Sequence, residues 1–417
     1  MSASRVWHPF TQHAIEPAAL KIARTDGAYL ETPDGRRILD AISSWWVITH
    51  GHRHPAIMAA IAEAAANLDQ VIFAGFTHQA AEDLAQALVA LTPDGLNHVF
   101  YSDSGSTAVE VALKMALGFF ANRGQPRARI IVMEHSYHGD TIGAMSVGAR
   151  GVFNAVYAPL LFDVARIPFP FAGREQDTLD ALEALVRDEK AAALIVEPLI
   201  CGSGGMLMYR PQVLGDMARL AARFGTLFIA DEVMTGWGRT GTLFACEQAG
   251  IQPDILCTSK GLTGGAIPLA ATLATDAIYD AHLSPDRSKT FFHSSSYTAN
   301  PIACAAGLTN VKVWQEEPVQ SRINRLVVAQ SQRMSALSGH HRFANARTCG
   351  TIGAIDLKVS DAGYLANIGL KLRSFFLERD ILLRPLGNTL YVMPPYCVSE
   401  PELDRIYDAI AESAEVH

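Results

Sequence analysis

The sequence predicts an α/β protein: a large unit built on a mostly parallel sheet flanked by helices, and a smaller α+β unit assembled from both chain ends. Three observations carry that expectation. Between about residue 55 and residue 310, short β-branched runs alternate with Ala-rich stretches that read as helices. Strands separated by helices return in the same direction, which builds a parallel sheet. Most of the runs are apolar at successive positions, so both faces of each strand are expected to be covered. Finally, 417 residues exceed one ordinary core, and at roughly 150 residues per domain two or three units are expected.

In chain order, the first element is a small hairpin, with Asp34-Gly35 as the tight turn between Tyr29-Leu30 and residues 36–39. Strand candidates follow at 99–101, 130–133, 194–196, 227–230, 255–257 and 270–273, and residues 168–177 read as a surface loop. A helix-rich stretch then precedes short strand candidates at 350–355 and 389–393. The division expected is 1–50 for the N-terminal part of the smaller unit, 51–312 for the large unit and 313–417 for the C-terminal part. No internal repeat or low-complexity linker interrupts it.

Hydrophobic residues make up 49% of the chain and charged residues 18%, which is too apolar for a disordered protein. No unbroken apolar stretch approaches the roughly 20 residues of a membrane helix. A formal charge of −8 and a pI near 6.0 argue against nucleic acid and anionic bilayers, which both call for clustered Lys and Arg. The six cysteines are scattered singly and read as reduced thiols, and the first residues lack the apolar core of a signal peptide. The expectation is a cytoplasmic protein that acts on small molecules.

Chemistry in such a sheet collects beyond the carboxyl ends of the strands, and the polar motifs fall there. The run 227–230 ends in Asp231-Glu232-Val233, and Lys260 closes another strand candidate. A carboxylate paired with a pyridinium nitrogen keeps that ring an electron sink, while a lysine supplies an imine and shuttles a proton. Each residue alone is ordinary: Asp231 could cap a helix and Lys260 could be a surface lysine. Ser104-Gly105-Ser106-Thr107 precedes a helical stretch, where backbone N–H groups can bind phosphate or simply accept a cap. Tyr137-His138-Gly139-Asp140 sets an aromatic ring beside glycine, either to stack on a flat ring or as plain loop. The 14 histidines invite a metal, but they lack H-E-x-x-H spacing and no carboxylate cluster joins them, so structural or supporting histidines and no metal are expected.

Taken together, residues 102–110 (SDSGSTAVE), 137–140 (YHGD), Glu197-Pro198, 231–241 (DEVMTGWGRTG), 258–261 (TSKG) and Asn300-Pro301 resemble the class III aminotransferases of fold type I over nearly the whole chain. The resemblance implies a PLP-dependent transferase fold with a seven-stranded sheet and pyridoxal 5'-phosphate (PLP) as cofactor. It makes Lys260 the residue bonded to the cofactor, Asp231 the partner of its pyridine nitrogen, and Val233 and Tyr137 the contacts on its two faces. Gly105 and Ser106 would hold the phosphate, and Ser296 would reach a phosphate across a homodimer interface, so that the sites are shared. Lys260, Asp231 and Tyr137 are the catalytic residues it implies.

Narrower marks are similar to one branch of that family: Trp7-His8-Pro9 with Thr11, Ser43-Ser44-Trp45-Trp46 before His50-Gly51, Gly204-Gly205-Met206 with Met208-Tyr209, and Arg384-Pro385 with Tyr391 and residues 393–396. The branch belongs to biotin biosynthesis; its donor is S-adenosylmethionine and its acceptor 8-amino-7-oxononanoate. A long apolar amino ketone ending in a carboxylate calls for aromatic walls and an arginine fork. Trp45, Trp46, Tyr137 and Tyr391 would be the walls and Arg384 the fork that takes the carboxylate of either substrate, while Arg239 would either sit near the substrate or hold its loop. On an extended segment, adjacent Trp45 and Trp46 point to opposite faces. Two departures stand out. Phe10 replaces the usual tyrosine, removing a polar contact worth about 1 kcal/mol, and His293-Ser294-Ser295-Ser296-Tyr297 replaces the common Gly-Pro-Thr-Phe. Phe10 keeps open lysine or another amine as donor, and with it an ω-aminotransferase that uses pyruvate and an amine or diamine.

Overall fold

The computed structural model describes residues 4–360 and 362–416; Met1 to Ala3, at the start of the segment judged free of a signal peptide, lie outside them. Its centre is a seven-stranded sheet in the order His98–Ser102, Ala270–Ala274, Ile255–Thr258, Leu227–Asp231, Ala191–Val196, Arg129–Met133 and Ala165–Ile167. Ala270–Ala274 runs antiparallel to both neighbours, and the remaining pairings are parallel.

Each strand divides its side chains between two cores, because successive residues point to opposite faces. Ile130, Val132 and Ile229 pack with the helix Gly105–Asn122. Ile131, Met133, Phe228 and Ala230 pack with the helices Glu175–Val186 and Pro211–Arg223 on the other side. Full burial of such a side chain stabilises by about 1.5–3 kcal/mol, which is why the runs 191–196 and 227–231 are buried throughout.

The six strand candidates of the large unit are all strands, but Ala165–Ile167 was not anticipated. It has three residues, with a charged one in the middle, and pairs on one side only, so no periodicity announces it. The expected loop 168–177 is partly helical, since Glu175–Val186 begins inside it. The candidate at 350–355 starts too early: Gly350 sits at φ +58 in a hairpin turn, where a Cβ would lie 2.1 Å from the Thr240 carbonyl carbon. The strand itself is Ile352–Leu357, between Phe343–Cys349 and Thr389–Val392.

The two chain ends meet. Tyr29–Glu31 and Arg37–Asp40 form the anticipated hairpin, and Ile381–Leu382 extends it in parallel with Arg37–Asp40. One apolar cluster joins Leu39, Ile42 and Trp46 to Ile352, Leu372, Phe376, Leu390 and Ile410. That packing brings the twin-tryptophan segment to the carboxyl edge of the large sheet. Among the described residues, no helix is long and apolar enough to cross a membrane.

Candidate active site

The carboxyl ends of neighbouring strands deliver the chemistry-bearing residues to one place. Asp231 ends the strand Leu227–Asp231 and is paired with Cys257 of the adjacent strand, after which comes Lys260. Glu197 follows Ala191–Val196, Tyr137 and His138 follow Arg129–Met133, and Gly105 opens the helix that follows His98–Ser102. These residues line one cleft together with Trp46, Ser106 and Val233, a concave site that joins apolar walls to a few convergent polar groups, as small-molecule sites do.

Asp231 is a buried carboxylate with two donors. His138 Nδ1–H donates to its Oδ2 at 2.6 Å, and the Val233 N–H donates to Oδ1 at 3.1 Å. A buried charge persists only when so paired. His138 Nε2 is buried without a protein partner. His138 is one of the histidines expected to be structural or supporting, and its position inside the 137–140 motif is the sequence signal of its special place.

Lys260 is in the left-handed region at φ 44, a backbone cost of about 1–3 kcal/mol that concentrates at functional sites. Its amine lies 5.1 Å from the centre of the Trp46 ring. Burial lowers its pKa to about 8, although the charges of Asp231 and Glu197 oppose the shift. Glu197, quoted from the sequence without a role, clasps two loops: its Oε1 accepts the Tyr137 N–H at 2.9 Å and its Oε2 the Gly202 N–H at 3.0 Å. Burial pushes that carboxyl up to about 7, His138 opposing and Asp231 reinforcing the rise. The Tyr137 phenol is raised well above its ordinary value, first by burial and then by Asp140, so it remains neutral.

The start of the helix Gly105–Asn122 is shaped to admit an anion. Ser104 and Thr107 cap each other, leaving the N–H groups of the first turn, at Gly105 and Ser106, facing outward with the positive end of the helix. Space is tight: a Cβ at Gly105 would come within 2.5 Å of Val233 Cγ1, and one at Gly139 within 2.1 Å of Ser106 Oγ. An anion cradle, a fixed carboxylate, an unpartnered buried imidazole nitrogen and a desolvated amine are together the donor set that PLP requires.

The expected substrate residues are placed less uniformly. Trp46 lines the cleft, and its indole N–H donates to the Tyr391 hydroxyl at 3.0 Å. Trp45 is 46% exposed and packs on Phe10, ring centres 5.6 Å apart, with the Arg384 guanidinium 5.7 Å from its own ring. Arg384 donates to the Phe10 carbonyl at 2.9 Å. Arg239 is buried and donates to the carbonyls of Ile48 (2.7 Å), Pro394 (3.2 Å) and Trp46 (3.4 Å), which is the loop-holding geometry. Ser296 is exposed, its carbonyl accepting from Gln70, and it is not among the residues that line this chain's cleft.

The twin tryptophans are not on an extended segment as expected. Ser43, Ser44 and Trp46 have φ of 54, 58 and 67, so the two rings separate through an irregular turn. His50, His52 and His54 find side-chain partners in Asn310, Asp40 and Glu317. A second cleft adjoins the first, sharing Tyr137 and Gly139 and reaching Arg150 and Phe153.

The family model "Aminotransferase class-III" matches residues 10–413. Adenosylmethionine-8-amino-7-oxononanoate aminotransferase from Synechococcus elongatus is 48% identical to this chain, over 99% of it and 98% of the relative. Its counterpart from Geobacter sulfurreducens is 36% identical over 98% and 95%. Among solved structures, adenosylmethionine-8-amino-7-oxononanoate aminotransferase from Methanocaldococcus jannaschii matches with a TM-score of 0.94 at 35% identity, covering 99% of this chain and 97% of that one. An amine transaminase from an uncultivated Pseudomonas species, in its PLP-bound form, matches with a TM-score of 0.91 at 30% identity over 99% and 98%.

Proposed function

The chain belongs to the class III aminotransferases and uses PLP, and from that premise we propose that it transfers the amino group of S-adenosylmethionine to 8-amino-7-oxononanoate, giving 7,8-diaminononanoate for biotin biosynthesis. The observation that carries the reading is the convergence of Asp231, Lys260 and an open helix start on one cleft, in a chain 48% identical over its length to a relative of that name.

When bound, PLP supplies an electron sink that acidifies the carbon carrying the transferred nitrogen. Lys260 would hold the cofactor, and its amine would take or return a proton at Nζ; its lowered pKa makes both states accessible near neutrality. Asp231 offers its negative charge to the pyridine nitrogen, and His138 keeps it in place. Gly105 and Ser106 hold the phosphate, Val233 and Tyr137 flank the ring, and Glu197 fixes the Tyr137 loop. Trp46 walls the cleft with Tyr391 behind it, while Trp45 and Arg384, packed together with Phe10 outside that lining, would receive the apolar chain and the carboxylate of either substrate.

The same reading makes the protein a cytoplasmic homodimer. Ser296 lies outside its own chain's cleft, on a surface where Ile72, Phe76, Phe292 and Tyr297 are each more than 60% exposed, and large apolar side chains gathered on a surface mark an interface. The division of the chain into 1–50 and 313–417 as one smaller unit and 51–312 as the large one is part of this reading, supported among the described residues by the pairing of Ile381–Leu382 with Arg37–Asp40 and by their shared core.

The test is a single-turnover spectrum. The PLP-loaded protein is mixed with S-adenosylmethionine, and the visible band is expected to bleach and to return on adding 8-amino-7-oxononanoate. Phe10, which presents a ring without a hydroxyl beside Trp45 and Phe153, favours one competing donor reading. If only lysine, alanine or a diamine bleaches the band, the proposed donor is wrong.

A further inference from the structure

Asp40 ends the strand Arg37–Asp40 and is completely buried, yet it is not one of the residues lining the cleft. Its side-chain oxygens accept from one short segment and from a single histidine beyond it. Oδ1 accepts the N–H groups of Ile42 (3.2 Å) and Ser44 (2.8 Å), and Oδ2 accepts the Ser44 hydroxyl (3.1 Å) and His52 Nε2–H (2.9 Å). The same segment is held on its other sides. The Ser43 hydroxyl donates to the Met393 carbonyl at 2.8 Å, and Arg239 takes the carbonyls of Trp46 and Ile48. Peptide N–H groups therefore end on a buried anion and peptide carbonyls on a buried cation.

What lies between the two charges is a turn with Ser43, Ser44 and Trp46 in the left-handed region. L-residues avoid that region unless their surroundings impose it. The turn presents the Trp46 ring to the Lys260 amine. Gly202 closes the ring's other side: a Cβ there would stand 3.2 Å from Trp46 Cζ3, so the ring has little freedom to shift if its backbone relaxes.

We propose that Asp40 is a positioning residue of the aminotransferase reaction: it selects the turn conformation that sets the Trp46 ring against the Lys260 amine, and His52 fixes the direction in which its carboxylate faces. The inference rests on the function proposed above for its substrates, but not for its geometry.

The experiment compares Asp40→Asn, Trp46→Phe and the double variant as holoproteins, each corrected for folded fraction by far-UV circular dichroism. Asparagine retains one acceptor for the two N–H groups and loses the charge. Asp40→Asn is expected to raise KM by about tenfold with a smaller change in kcat, since misplacement of a wall group weakens the productive geometry. It is also expected to alter the near-UV indole signal, and the double variant should have no higher KM than Trp46→Phe alone, because both changes act through one ring. A purely structural role would lower the folded fraction and leave KM unchanged; that outcome, an unchanged indole signal, or additive effects in the double variant overturns the proposal. If Asp40→Asn does not fold, His52→Ala carries the same comparison. Wild-type protein that ignores S-adenosylmethionine and 8-amino-7-oxononanoate overturns the proposed function alone; KM is then read with whichever amine bleaches the visible band.

Discussion

The inner end of the cleft and its mouth are built on different principles. At the inner end, Gly105, Tyr137, Asp231 and Lys260 sit on or just beyond strands of one sheet, and Asp231 and Glu197 are buried and paired. On the proposed function the mouth is formed by Phe10, Trp45 and Arg384 from the two chain ends, beside the adjoining cleft that Phe153 lines and Phe10 packs on; Phe10 and Trp45 are exposed, and the three hold together through ring contacts and one bond to a backbone carbonyl. The rigid sheet can fix a reaction to fractions of an ångström, whereas an aromatic, partly solvated rim can vary without disturbing it. On the proposed function, reaction type and substrate choice fall to separate parts of the molecule.

The largest effect that would confirm this separation is at the inner end. Lys260→Ala is expected to reduce turnover by at least about 10⁴-fold and to abolish the visible cofactor band; residual turnover near that of wild type would break the comparison. At the mouth, Arg384→Ala should raise KM for both carboxylate-bearing substrates by roughly 10- to 100-fold, as expected for losing about 1.5–3 kcal/mol of charged hydrogen bonding, and leave the visible cofactor band intact. A parallel fall in the cofactor band would instead place Arg384 with the inner group.

The pH dependence of cofactor loading sharpens the contrast. Loading needs the neutral Lys260 amine, whose pKa is lowered from 10.5 to about 8. The loading rate of the apoprotein should rise with pH up to about 8 and then level off; a continued rise toward 10.5 would mean that the amine is solvated like an ordinary lysine. The smallest expected effect is Phe10→Tyr, a change of about 1 kcal/mol in donor KM with kcat unaltered, read by steady-state kinetics with S-adenosylmethionine and lysine in parallel.

Much of the inner site was legible because its signals are local. A strand whose both faces are buried declares itself as a run such as 227–230, and a charged residue at the end of such a run, Asp231 or Lys260, can only stand at the sheet's carboxyl edge. The helix start at 104–107 is legible for the same reason, since capping depends on residues three apart. His138 and Glu197 were visible only as members of motifs, because what they do depends on Asp231, Tyr137 and Gly202, which the chain brings to them from other strands.

By itself, then, the sequence determined the layered α/β architecture, the strand ends that carry the chemistry and the hairpin at Asp34-Gly35, all of which follow from side-chain periodicity and local backbone preference. Only the tertiary structure decided the conformation of the Ser43–Trp46 turn, the loop-holding geometry of Arg239 and the clasp of Asp40 with His52. The physical reason is that left-handed serine and tryptophan conformations oppose intrinsic preference. They exist here because Met393 and Arg239, 350 and 193 residues away from their partners in the chain, bind the turn's polar groups while Asp40 binds others of them.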